Sequence, residues 1–172
     1  YLYLMQIFKL LKPKQKPEYV ITSFVLLRLL GLVYFFAFLS LATQVIPLIG
    51  ENGLLPAKNF LEMSVNRFAI SEHAQKPKVF DTFRFESKLD AFFNLPTIFW
   101  FKISDGMLLT LAWLGVVLSF IVLIGFSNAI LLFVLWILYM SFVHIGQIFY
   151  GYGWEIQLLE TGFLAIFLCP LL

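Results

Sequence analysis

The chain has 172 residues, 61% of them hydrophobic and only 13% charged, with a formal net charge of +2 and a mean hydropathy of +0.91. That balance excludes an ordinary soluble domain, and the few cations form no sustained basic surface for nucleic acid. A single cysteine, Cys169, excludes an internal disulfide and leaves the redox compartment unassigned.

Residues 1–18 read as a basic, cytoplasmic N-terminal segment. Tyr1–Leu11 is apolar, and Lys12-Pro13-Lys14-Gln15-Lys16-Pro17 is a proline-broken linker. No small-residue cleavage site marks a signal peptide. Residues 19–48 predict the first transmembrane helix, with Arg28 as its only charge. At about 1.5 Å per residue it exceeds a hydrocarbon core of about 30 Å, so it tilts or its ends project. Pro47 and Gly50 are expected to end it, and Glu51-Asn52-Gly53 to turn the chain.

Residues 49–104 form the extended polar part, an extracytoplasmic or lumenal loop. Leu61, Val65 and Phe68, and again Leu89, Phe92 and Phe93, recur at helix-face spacing, which predicts short amphipathic helices on the membrane surface. Residues 105–172 predict transmembrane helices two to four. Between Gly106 and Val143 there is no Asp, Glu, Lys or Arg, and a span needs about 20 apolar residues. Ser104-Asp105 caps the second helix, which runs to about Phe126, and Ser127-Asn128 turns the chain. The third helix is expected from about Ala129 to Tyr150. The fourth begins near Glu155 and runs off the end of the sequence, which reads as an N-terminal piece of a longer protein. The predicted fold class is all-α, a polytopic transmembrane helix bundle with an extracytoplasmic loop of short amphipathic helices.

Lys9, Lys12, Lys14 and Lys16 precede the first span with only Glu18 against them. The positive-inside rule places that end in the cytoplasm. Trp100, Tyr150, Tyr152 and Trp154 then fall on the opposite side as an interfacial belt.

The polar groups in or beside the apolar runs are Arg28, His144, Gln147, Glu155 and Glu160. A charge in mid-membrane costs about 2.5–3.5 kcal/mol on insertion scales, so such residues seek partners. His144 and Gln147 share a helix face and are expected to meet Glu160 across the aromatic turn, with Glu155 bordering the cluster and reaching water. The structural reading is a hydrogen-bonded clamp between helices, and the functional one is a proton relay, a metal site or a catalytic base. One His and one carboxylate fall short of the usual three or four zinc ligands, so no metal is assigned. Arg28 either snorkels to the cytoplasmic headgroups or pairs with a carboxylate such as Glu160. His73 reads as a solvated loop residue and Cys169 as a small core residue. No catalytic residue or cofactor is assigned, and no phosphate loop, nucleophile elbow, CxxC or HExxH is present.

Several stretches resemble the lipase maturation factor family. Leu27-Arg28-Leu29-Leu30-Gly31-Leu32-Val33-Tyr34-Phe35-Phe36-Ala37-Phe38-Leu39-Ser40 is similar to its first span, and Ile49-Gly50-Glu51-Asn52-Gly53-Leu54-Leu55-Pro56 to the segment just after that span. Leu95-Pro96-Thr97-Ile98-Phe99-Trp100 with Ser104-Asp105 is similar to its approach to the second. The most distinctive block is Gly146-Gln147-Ile148-Phe149-Tyr150-Gly151-Tyr152-Gly153-Trp154-Glu155, then Leu158-Leu159-Glu160-Thr161-Gly162-Phe163-Leu164-Ala165.

The resemblance implies a polytopic membrane protein with a cytosolic N-terminus. It would sit in the endoplasmic reticulum of a eukaryote, or in the inner or plasma membrane of a bacterium. It implies a non-enzymatic, chaperone-like partner for secreted lipases or other exported clients, bound through a C-terminal region beyond this sequence. The alternative is a membrane enzyme or quinone-linked redox protein. That reading rests on a looser similarity to the transmembrane domain of vitamin K-dependent carboxylases, with His144, Gln147 and Glu160 as its active site.

Overall fold

The computed structural model describes residues 19–64 and 92–169. The basic N-terminal segment, His73, most of the loop and the last three residues lie outside the described residues.

Among the described residues, four helices form the body: α1 (Val20–Ile49), α2 (Asp105–Ile124), α3 (Ala129–Ile145) and α4 (Gly153–Ile166). A short helix occupies 57–64, and single 3-10 turns occupy Ile98–Trp100 and Gln147–Phe149. Every described regular element is helical, and the protein is a membrane helix bundle. The first two helices have the length and apolarity to cross a bilayer, while α3 is equally apolar but shorter.

Burial follows helix-face spacing in each helix. On α1 the inward residues are Leu27, Leu30, Tyr34, Ala37, Phe38, Leu41, Val45 and Ile49, and on α2 they are Leu108, Ala112, Val116, Ser119 and Val122. The outward faces are just as apolar: Leu32 and Phe36 on α1, Trp113, Val117 and Phe120 on α2, Ile130 and Phe133 on α3. A helix apolar on both faces suits lipid outside and protein inside. Water would penalise that outer surface heavily.

The antiparallel α1–α2 pair is the most extensive contact. Small residues permit it, as they do between membrane helices in general. The Phe38 ring lies in the notch at Gly115, and a Cβ there would collide with it. Phe38 and Tyr34 in turn pack edge-on against Tyr139 of α3, at ring distances of 5.5 and 5.6 Å. Between α3 and α4, Trp136 donates to the Leu159 carbonyl at 3.0 Å and its ring meets Phe163 at 5.4 Å.

The helix ends have local causes. The Ser104 hydroxyl accepts from the Met107 amide at 3.3 Å and opens α2. Gly125, at φ 117°, closes it in the left-handed conformation that suits glycine. The Asn128 side chain accepts from the Leu131 amide at 2.7 Å and opens α3. Pro47 lies inside the last turn of α1, which runs two residues past it to Ile49. Two ends depart from the sequence reading. Helix α3 stops at Ile145, short of Tyr150, and α4 stops at Ile166.

Candidate functional site

The bundle has two ends. One, the turn end, holds the start of α1 and the α2–α3 turn. The other, the loop end, gathers residues 50–56, 94–104 and 146–153. Most of the long-range side-chain hydrogen bonds among the described residues lie at the loop end.

There the chain after α1 is folded back on the helix, with the Leu54 amide donating to Pro47 at 3.0 Å and the Leu55 amide to Leu48 at 2.9 Å. The Glu51 amide donates to Asp105 Oδ1 at 2.7 Å, joining the end of α1 to the start of α2. Residues 94–100 lie on α3. The Thr97 hydroxyl donates to the Ser141 carbonyl at 3.2 Å, and the Ile98 amide donates to Ser141 Oγ at 3.1 Å. Phe99 is buried edge-on against Phe142 at 5.0 Å.

His144 and Gln147 belong to this lacing. His144 Nδ1 is 2.8 Å from the Pro96 carbonyl oxygen. A carbonyl only accepts, so Nδ1 carries the proton and donates. Gln147 Nε2 donates to the Leu55 carbonyl at 3.1 Å. It does so from a left-handed backbone, φ 52°, the one positive φ outside glycine among the described residues. This corrects the expected cluster: His144 ties down the stretch before α2, Gln147 the stretch after α1, and neither meets Glu160. Glu160 lies on the exposed face of α4.

Glu155, expected to reach water, is buried at 1% exposure. It is the third residue of α4, and the backbone amides of Tyr152 and Glu155 hydrogen-bond to its carboxylate. That is the acidic half of a capping box, and the helix dipole favours it there. Its other oxygen, Oε2, has no partner among the described residues, and neither does the Tyr139 hydroxyl. Tyr34, Tyr139, Tyr150 and Glu155 thus make a buried polar patch between α1, α3 and α4. Within it the Tyr34 hydroxyl donates to the Leu158 carbonyl at 3.3 Å and fills the space beside Gly162.

Tyr150 is buried, where the sequence reading places it in an interfacial belt. Tyr152 and Trp154 are exposed, and Trp100 is half-buried with its indole donating to Leu95 at 2.9 Å. Burial first, and Glu155 second, push the Tyr150 phenol up to about 12. Sequence reasoning misses Tyr34 and Tyr139 as polar groups of the site. Their signal is present in their inward register, but an aromatic residue in an apolar run reads as filling.

At the turn end Arg28 makes no ion pair with Glu160, and it lies at the end of the bundle that holds the start of α1. Its Nη2 donates to the Ile124 carbonyl at 2.9 Å, capping the end of α2, and its guanidinium lies 4.0 Å from the centre of the Phe24 ring. A cation at a helix C-terminus is favourable. Cys169 is buried near Ser127, and burial raises its thiol pKa against a smaller opposing effect of the Ser127 hydrogen bond.

Among the described residues no three His, Cys, Asp or Glu side chains come together as metal ligands. The Pro96 carbonyl fixes the tautomer of His144 and, through it, ties the 94–100 stretch to α3.

Fold and site together define an integral membrane helix bundle whose loop end is fixed by side chains reaching main-chain carbonyls. Residues 21–172 match the family model of the lipase maturation factor transmembrane domain, and the chain belongs to that family. It is 44% identical over 155 residues to lipase maturation factor 1 of Bos taurus and 41% identical over 156 residues to that of Homo sapiens. Each match covers 88% of this chain and 25% of the relative. Lipase maturation factor 2 of Rattus norvegicus is 32% identical over 146 residues, covering 81% of this chain and 18% of that protein. The chain therefore spans about a quarter of the length of these first relatives. No solved structure matches it.

Proposed function

We propose that this chain is the membrane-embedded part of a protein that assists the maturation of secreted lipases, and that its task is to anchor and orient a client-binding region elsewhere in the full-length protein. The match to the lipase maturation factor transmembrane domain over residues 21–172 carries this reading. The geometry agrees with it. His144, Gln147, Thr97 and Asp105 hold the loop end in one arrangement, which gives a soluble region a fixed base. The client face is the endoplasmic reticulum lumen, and the lysine-rich start of the chain lies in the cytosol. No observation favours the carboxylase-like alternative.

The test is complementation. The full-length protein is expressed in cells that lack their own lipase maturation factors, and active lipase is measured in the medium. Restored secretion of active lipase is the expected result. A protein that is well expressed and membrane-inserted, yet leaves secreted lipase activity at background, would overturn the reading.

A further inference from the structure

The exposed face of α4 does not fit lipid. Gln157, Glu160, Thr161 and Leu164 stand at i, i+3, i+4 and i+7, so they form one stripe, and all four are exposed. Depth makes this costly. Tyr34, near the middle of α1, packs against Gly162 of α4, which places Glu160 and Thr161 close to half-way through the bundle. Glu160 makes no hydrogen bond or ion pair with any described residue, and Arg28 is occupied at Ile124. An acidic side chain at that depth, with lipid on its open side, is disfavoured without a partner.

Thr161 also lines a groove between α1 and α4. Its other walls are Ile21, Thr22, Val25, Leu26, Leu29, Leu30 and Val33, with a volume of about 590 Å³. The groove is therefore an apolar trough on the α1 side that borders a polar stripe on α4.

We propose that this trough and stripe receive another membrane helix, one that packs apolar side chains on α1 and turns a basic or hydrogen-bond-donating side chain to Glu160. Two observations select its source. Glu160 on the stripe requires a donor, which an acyl chain does not have. The relatives are about four times as long as this chain, so most of the full-length polypeptide lies outside it. The occupant is a helix of that remainder, packed in the same molecule.

Photocrosslinking of the full-length protein in its native membrane tests this. A benzophenone amino acid is placed at Thr161, with Trp113 on the outer face of α2 as the control position. The expected product at Thr161 keeps the mass of one chain, and its cross-linked peptide maps outside residues 1–172. Trp113 should give lipid adducts. Cross-linking at Thr161 to a second copy, to lipid alone or to nothing would overturn the proposal. Charge gives an independent reading. Glu160→Lys should lower the melting temperature of the full-length protein in detergent by more than Glu160→Gln does, because it opposes the donor. Equal effects of the two would also overturn it.

Discussion

Glu155 and Glu160 stand five residues apart on one helix and have opposite surroundings. The first is enclosed by Tyr139 and Tyr150 and capped by main-chain amides; the second is open. Sequence alone suggests the reverse, and the reason is local. The apolar pattern continues α3 to Tyr150, but the helix ends at Ile145, and Gln147 bends the chain at φ 52°. That bend turns Tyr150 inward, and α4 starts with its third residue facing the bundle. No pattern of apolar residues announces a single left-handed glutamine. Partners are illegible for a related reason. His144 and Gln147 reach the carbonyls of Pro96 and Leu55, and every residue type carries such a carbonyl. The buried Tyr150 has a measurable consequence. Its phenol is pushed from 10 to about 12, so the unfolded chain ionises first as pH rises. Its contribution is whole below pH about 10 and is lost between there and 12, a difference of about 2–3 kcal/mol. Thermal unfolding in detergent from pH 9 to 12 should show Tyr150→Phe losing less stability than the parent protein. Parallel losses would show that Tyr150 is not the group responsible.

At the scale of elements, the caps are the most legible features. Ser104 and Asn128 each precede an apolar run, and each side chain accepts from the third amide beyond it. Such signals are local, so sequence carries them. The seam between α1 and α2 is half legible: the apolar faces are visible, but not the meeting of Phe38 with Gly115. Arg28 is the clearest case of an element-level role hidden in one letter, since its partner is the last carbonyl of another helix. Arg28→Met should lower stability by about 1.5–3 kcal/mol, the usual range for a hydrogen bond to a charged group. Arg28→Lys should fall between, because an ammonium can reach one carbonyl but lacks the planar surface that lies on Phe24. Adding Glu160→Gln to Arg28→Met should give no rescue beyond about 0.5 kcal/mol, since the two sites share no partner. A larger rescue would restore the ion pair that sequence alone suggests.

For the whole molecule, composition suffices to place the chain in a membrane. The structure adds that the outer faces of α1, α2 and α3 are as apolar as their inner ones, while α4 carries Glu160 outward. Orientation rests on the lysines before α1, and the fold converts that into a statement about described residues. The α2–α3 turn shares an end with the start of α1, so Ser127 should lie in the cytosol and Asn52 across the membrane. Single cysteines at these positions, in a Cys169→Ser background, can be labelled with an impermeant maleimide. In sealed vesicles with the cytosolic face outward, position 127 should label and position 52 should not. Cys169 itself should label poorly even before replacement, because it is buried with a raised thiol pKa. The reverse pattern would turn the bundle over and place the proposed client face in the cytosol.

The bond from Arg28 to Ile124 also implies an order of events during synthesis. The two residues are 96 positions apart. At roughly 5–20 residues per second, α1 waits about 5–20 s before the carbonyl that receives its guanidinium has been made. For that interval the arginine has only Phe24, one turn earlier, to lean on. The guanidinium of α1 therefore gains its main-chain acceptor only when the end of α2 arrives. The polar tie between the two helices at this end is thus made only after the second is complete.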